Sequence, residues 1–476
     1  MSQCNPSALA FSSFNRRVVC ADFSGGNITA DAGVLLLREA DRQLGLLDAL
    51  DRAIPDPRSP QFIVHPQRTL LAQRIFALAA GYEDLNDHQH LRDDPLWQLA
   101  TDHPEQPEHL GSDEAPQLAS PPTLCRLENR IGRPTLVRIA HVLVEQFIAS
   151  FPTPPEQLTL DLDATDDIVH GHQEQRFFHG YYDNYCFLPL YIFCGTRLLV
   201  AYLRPANGDG ARHSRAIVKL LVQRLRQVWP NVRITLRGDS GFCRWRLMRW
   251  CDRNDVRYLF GLARNSVLEQ RSAPLLDLVR EQYQADGRPH RLFESIAYAA
   301  GTWDRERRVI VKAEHLAGDK GDKGGKANPR YLVTNLPGNP RQLYEDVYCE
   351  RGEAENRIKE QQLYLFADRT SCHRFVANQF RVLLSAAAYV LVEHIRRTAL
   401  PGTELERAGA STIRLKLFKM GALVTKSVRR IVLRISSGYA WPALFQRVLH
   451  RLTNSPTAAP TSTAPIDRPS TAAALG

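Results

Sequence analysis

The 476-residue chain predicts an α/β fold built on a mixed β-sheet. Two patterns point there. Residues 156–264 alternate short apolar or alternating strands with amphipathic helices, and the regions on either side carry helical periodicity.

Residues 1–150 read mostly as helices. Val34, Leu37, Ala40, Leu44 and Leu47 recur at three- and four-residue spacing, with Thr29 or Asp31 placed to cap. Gln67–Ala80 is a second helix ended by Gly81, and 101–122, rich in Pro, Ser and Asp, is a loop. Thr123–Ile131 and Pro134–Ser150 follow, with Pro134 suited to a first turn. Pro152, Pro154 and Pro155 then close the first region.

Leu158-Thr-Leu160-Asp161-Leu162-Asp163 alternates as a strand does, leucines on one face and both aspartates on the other. Strands are expected at about Tyr185–Phe193 and Arg197–Leu203, a helix at Ala211–Val228 and a strand at Val232–Leu236. A helix at Gly241–Asp252 and a strand at Val256–Leu262 complete the block. Three strands, helix, strand, helix, strand is the order of a ribonuclease-H-like core. Residues 265–345 break the rhythm: Arg291–Tyr298, Arg307–His315 and Arg330–Asn335 read as strands of a β-rich insertion, with a basic loop at Gly318–Lys326. Residues 346–450 return to helix and complete the core, and a disordered tail is expected over 453–476, rich in Ala, Thr, Pro and Ser.

Composition narrows the setting. No apolar run reaches the ~20 residues of a membrane span. The start has neither basic nor apolar signal-peptide character, which suggests a cytoplasmic protein. Nine scattered cysteines without a CxxC pair suggest free thiols, and a zinc site at Cys243 and Cys251 is not expected. Net charge is +10, unevenly spread. Residues 1–150 hold 13 Arg and no Lys against 19 acids, while 374–451 hold 14 Lys+Arg against Glu393, Glu404 and Glu406. The basic C-terminal part suits a polyanion such as nucleic acid, although a solvated basic face gives the same count.

Three carboxylates stand out: Asp163 closing the first core strand, Asp239 in Arg237-Gly-Asp239-Ser-Gly-Phe242 after the fourth, and Glu355 in Tyr348-Cys-Glu-Arg351-Gly-Glu-Ala-Glu355-Asn-Arg-Ile-Lys359. On a helix, Tyr348, Arg351, Glu355 and Lys359 fall within an arc of roughly 80°. A carboxylate beside cations suits a divalent ion and phosphate oxygens, though a solvated charged helix is the simpler account. Strand ends are where open α/β sheets place chemistry. Asp239 before its Ser-Gly is also an ordinary turn residue, and Asp161 points the same way as Asp163 and could replace it. Two Mg²⁺ ions held by such acids activate an attacking oxygen and stabilise a leaving one, and Mn²⁺ can substitute.

Asp163-Ala-Thr165, Arg237-Gly-Asp239-Ser-Gly-Phe242 and Tyr348-x2-Arg351-x3-Glu355 resemble the DDE transposases of bacterial insertion sequences, most closely their group-1 DDE domain family. Gly25–Gly33, Leu162–Asp167 with Gly171-His-Gln173, and Gly352–Glu360 share the likeness, which extends over about residues 15–450. The resemblance implies a metal-dependent enzyme that nicks transposon ends and joins the freed 3′ ends to target DNA. It implies Asp163, Asp239 and Glu355 as metal ligands for two Mg²⁺, with Tyr348, Arg351, Lys359 and Arg237 toward phosphate. It also implies an N-terminal region that recognises terminal inverted repeats, basic C-terminal helices including 414–419 and 426–430 on the DNA backbone, and a dimer or larger assembly on double-stranded DNA, with no membrane. Relatives carry a Lys seven residues after the Glu; here it is Gln362, and Lys359 faces the same way. Some relatives wedge a Trp into flanking DNA, a role open to Trp303, as is plain packing at a turn. A nuclease that does not join strands and a DNA-binding protein without catalysis are the alternatives.

Overall fold

A β-hairpin of Leu9–Phe14 with Arg17–Ala21 opens the described chain, and helices follow. The computed structural model describes residues 9–103, 117–317, 325–427 and 429–454. Among them, α1 (Leu35–Leu44) ends where Gly45 adopts φ 60° and its N–H donates to the Asp41 carbonyl. α2 (Gln67–Ala80) stops at Gly81, φ 96°, as its sequence predicts. α3 (Arg133–Ala149) starts with Pro134 in its first turn. The expected loop at 101–122 lies mostly in 104–116, outside the described residues.

The sheet then follows the predicted order with small shifts. Its strands are β1 (Gln157–Ala164), β2 (Leu190–Cys194), β3 (Arg197–Tyr202), β4 (Arg233–Gly238) and β5 (Arg257–Leu262). β1 pairs antiparallel with β2, and β2 with β3, while β4 lies parallel to both β1 and β5. The order β3-β2-β1-β4-β5 with one reversed strand is a ribonuclease-H-like sheet. α4 (Ser214–Val228) and α5 (Trp245–Arg253) cover one face, on which Leu158, Leu160 and Leu162 join Leu221, Leu225 and Met248 in a single core.

Residues 265–345 carry the three expected strands. Their strands β6 (His290–Tyr298), β7 (Arg307–Leu316) and β8 (Arg330–Thr334) do not form a separate layer. β8 pairs antiparallel with β5, so the insertion widens the core sheet itself, in the order β5-β8-β7-β6. A 21-residue helix, α6 (Ser266–Asp286), precedes them despite Pro274 in its interior. The Asn265 side chain caps it by accepting from Leu268 N at 3.0 Å. The predicted basic loop falls mostly on 318–324, outside the described residues.

The helices before and after the sheet form one body. α7 (Gly352–Lys359) leads to α8 (Phe375–Ala399), which runs through a core shared with α1, α2 and α3. By length and composition α8 could cross a membrane, although no apolar run of that length was expected. However, 78% of its apolar window is buried inside the protein, as the central core helix. Arg74 and Glu128, 1% and 0% exposed, pair at 2.9 Å beneath it. The C-terminal region is not wholly helical: Ala422–Ser427 and Arg430–Ile435 form an antiparallel hairpin. The last helix, Pro442–Asn454, includes Thr453, so the expected tail begins later, and 455–476 lie outside the described residues. All eight described cysteines are free.

Candidate active site at the strand ends

Asp163 occupies the penultimate position of β1, half-sheltered, with its Oδ1 accepting from Ala164 N at 3.0 Å. Asp239 follows β4 directly and caps the short turn Ser240–Phe242, its Oδ1 accepting from Gly241 N at 2.9 Å. Because β1 and β4 are parallel neighbours in register, their C-terminal ends bring these two acids side by side. Glu355 comes from α7, which packs across β1 and β2. The stretch leading to it is not a uniform α-helix: Leu343–Tyr348 is a π-turn and Cys349–Arg351 a 3-10 turn.

Arg351 links two of the three acids. Its Nη1 lies 3.3 Å from Asp163 Oδ2, and its Nη2 pairs with Glu355. Burial pushes the Asp163 carboxyl up to about 6. Arg351 opposes that rise, and the charges of Asp239 and Glu355 add to it. Three carboxylates on separate elements therefore feel one another, with a guanidinium as their counter-ion. The Tyr348 phenol, raised mainly by burial, sits beside Arg351 and Asp239. A Cβ on Gly261 would fall 2.9 Å from the Tyr348 hydroxyl and 2.8 Å from Ser240 N, so only glycine in β5 admits this approach.

Asp163 carries a stability penalty that can be measured. Its folded pKa of about 6 exceeds the ordinary 3.8, so without a divalent ion the ionised form is disfavoured in the fold. The penalty is absent below pH 3.8, grows through pH 4–6 and is complete above, at about 2–3 kcal/mol. In chelator at pH 8, Asp163→Asn should melt above wild type, and the gap should close toward pH 4. Equal melting at pH 8 contradicts this.

Several expected residues sit elsewhere. Arg237 is 5% exposed and not a phosphate contact. It donates to both oxygens of Asp161, Nη2 to Oδ2 at 2.8 Å, and to the Val347 carbonyl. That buried pair also removes Asp161 as a stand-in for Asp163, its carboxylate being 2% exposed and fully engaged. The pair instead pins the segment bearing Tyr348 and Arg351 to the sheet. Trp303 packs edge-on against Tyr298 at 5.4 Å, in the turn between β6 and β7. Neighbouring Arg307 reaches Tyr258 and Asp252 at the opposite end of the sheet from Asp163, so Trp303 packs away from the acids. Lys359 is exposed and forms no ion pair among the described residues. Gln362 donates to the Asp166 carbonyl at 3.0 Å and so ties the loop after Asp163 to the turn after α7.

The basic stretch 414–419 is spent internally. Arg414 donates to the carbonyls of Ala79 and Tyr364, Lys416 pairs with Glu404 at 2.8 Å, and Lys419 pairs with Asp31 at 2.8 Å. Of the basic residues in 426–430, Arg429 and Arg430 are exposed where the C-terminal hairpin turns, and Lys426 donates to Gln98 at 3.2 Å. Tyr182 was not foreseen: burial first, with the charges of Asp166, Tyr181, Asp163 and Asp239, pushes its phenol up to about 12. Only its Tyr-Tyr run at a strand turn could have drawn notice.

The transposase DDE domain group 1 family matches residues 11–457, nearly the whole chain. This chain belongs to that family. The transposase also resembles, at 9% identity and a TM-score of 0.41 over 82% of its own length and 79% of the other, the piggyBac transposase of a synaptic complex with hairpin DNA. No curated protein matches it. Among the transposase's described residues, no three His, Cys, Asp or Glu side chains stand close enough to hold one metal ion. The donor set still fits a hard divalent cation: oxygen-only and mutually repelling, with the Arg351 and Arg244 charges beside it.

Proposed function

We propose that this transposase cuts DNA at transposon ends and joins the freed 3′ ends to target DNA, using Asp163, Asp239 and Glu355. The observation that carries this reading is the Asp163–Arg351–Glu355 chain beside Asp239, at the ends of parallel strands. These three carboxylates would hold Mg²⁺ or Mn²⁺, two ions by family resemblance. Bound there, the ions would activate the attacking oxygen and stabilise the leaving one. Arg351, released from the acids, grips the scissile phosphate bidentately, and the Tyr348 hydroxyl orients it. Lys359 and the hairpin arginines Arg429 and Arg430 meet the backbone of double-stranded DNA. Two ends held together call for a dimer or larger, in a cytoplasmic setting.

Incubation of end-bearing duplex with Mg²⁺ tests the reading, with nicks and joined products resolved on denaturing gels. Cleavage with joining is expected. Cleavage without joining assigns a nuclease instead, and binding without cleavage a DNA-binding scaffold.

A further inference from the structure

Two motifs behind β1, Leu162–Asp167 and Gly171-His-Gln173, are only partly used by the reaction. They belong to a strap, residues 165–174, that leaves the end of β1 directly after Asp163 and is bonded on two sides. On one side Asp167 and Ile168 pair antiparallel with Phe187 and Cys186, and Val169 N donates to the Tyr185 carbonyl at 2.9 Å. On the other side the strap meets the chain that continues from α7. Gln362 Nε2 donates to the Asp166 carbonyl at 3.0 Å, and Gln173 Nε2 to the Thr370 carbonyl at 3.2 Å. Glu174 N donates to the His373 carbonyl at 2.9 Å, and Phe375 N to Glu174 Oε2 at 3.1 Å.

Gln362 makes the tie nearest the acids. It lies in the π-turn Glu360–Tyr364, which continues α7 beyond Glu355. Its acceptor Asp166 follows Asp163 on the strap. Its own footing is fixed: Glu360, 3% exposed, accepts from Ala410 N and pairs with Arg357 at 2.8 Å and with Arg396. One neutral hydrogen bond therefore couples the strand end bearing Asp163 to the helix bearing Glu355. Arg351 couples the same two elements, but through the acids' own charge. In the proposed reaction Arg351 leaves the acids for the scissile phosphate, and a cation would weaken its hold on them further. An amide–carbonyl bond survives both events.

We propose that Gln362 is a positioning residue: its bond to the Asp166 carbonyl, backed by the Gln173–Thr370 tie, sets Asp163 against Glu355 for a divalent cation. The proposal rests on the reading of these acids as cation ligands. The three acids do not stand close enough to share one ion, so a small shift of strap or helix decides whether they converge. Removing a partner that orients metal ligands typically costs roughly 10–100-fold in metal affinity. Gln362 acts through main chain, which points to the lower end.

Gln362→Met keeps the length of the side chain and loses the donor, and Gln173→Met does the same at the second tie. Full-length protein without DNA is melted in chelator and then over a series of Mn²⁺ concentrations. Mn²⁺ is expected to raise the wild-type melting temperature, and to raise that of Asp163→Asn far less. Gln362→Met is expected to melt close to wild type in chelator yet to need about tenfold more Mn²⁺ for the same rise. Gln173→Met should shift the same way by less. On end-bearing duplex, Gln362→Met should need correspondingly more Mg²⁺ to cut, with its gel shift unchanged. Wild-type Mn²⁺ dependence in Gln362→Met overturns the proposal, as does a wild type that Mn²⁺ does not stabilise. A lowered melting temperature in chelator without a Mn²⁺ shift makes the tie a support of the fold alone and overturns it too. A Mn²⁺ shift in a protein that never cuts upholds the positioning role and removes the transposition reading. Cutting with an unshifted Mn²⁺ dependence does the reverse.

Discussion

Asp239→Asn should bind end DNA as wild type does while cutting it below about one-thousandth of the wild-type rate. The substitution is close to isosteric, and the amide oxygen still accepts from Gly241 N, so the cap on the turn after β4 survives. What is lost is a negative charge next to Asp163 and Arg351. A cation held by two acids instead of three stabilises the transition state less, and each 1.36 kcal/mol lost is tenfold in rate. Several kcal/mol from such an ion makes a thousandfold deficit a modest expectation. Gel shift, cleavage and thermal melting on the same preparation separate the effects. Cleavage at the wild-type rate removes Asp239 from the site, and a lowered melting temperature shows that its capping role dominates.

Much of the sheet was legible because its signal is local. The alternation of Leu158, Leu160 and Leu162 against Asp161 and Asp163 fixes which side chains share a face, and the strand positions followed from similar runs. Which aspartate stays free was not legible. It depends on Arg237, 76 positions away, committing both oxygens of Asp161. The same holds for charge: counting the basic residues of 374–451 cannot show that Arg396 pairs with Glu360 in the core, or that Arg414 caps a helix formed some 335 residues earlier. The hairpin at 422–435 is a different kind of miss. Leu423-Val424 and Ile431-Val432-Leu433 are short apolar runs without strict alternation, so the period-2 signal is weak there. Trp303 shows a third limit, since the end of the sheet to which a turn belongs is set by topology, not by composition.

Gly33→Ala should be among the most destabilising single changes available here. Gly33 lies in the short turn Ala32–Val34 that enters α1. A Cβ at that position would fall 1.6 Å from the Leu417 carbonyl oxygen and 2.6 Å from its carbon. Both are main-chain atoms, so no side chain can rotate away. Val34 and Leu417 are fully buried beside the contact, and the segment containing Leu417 is itself held by Arg414 and Lys419. Relief therefore requires separating the N-terminal helices from the C-terminal ones, which share one core. Overpacking typically costs about 1–3 kcal/mol, and a backbone clash belongs at or above the top of that range. A fall in melting temperature of roughly 3 °C or more follows for a chain of this length. Gly352→Ala is the matched control: its added methyl meets nothing within 4 Å at the start of α7. The loss of chain entropy in the unfolded state should leave it neutral or about 0.4–1 kcal/mol more stable. If Gly33→Ala melts with wild type, these two helical regions do not approach as closely as the Gly33–Leu417 contact requires.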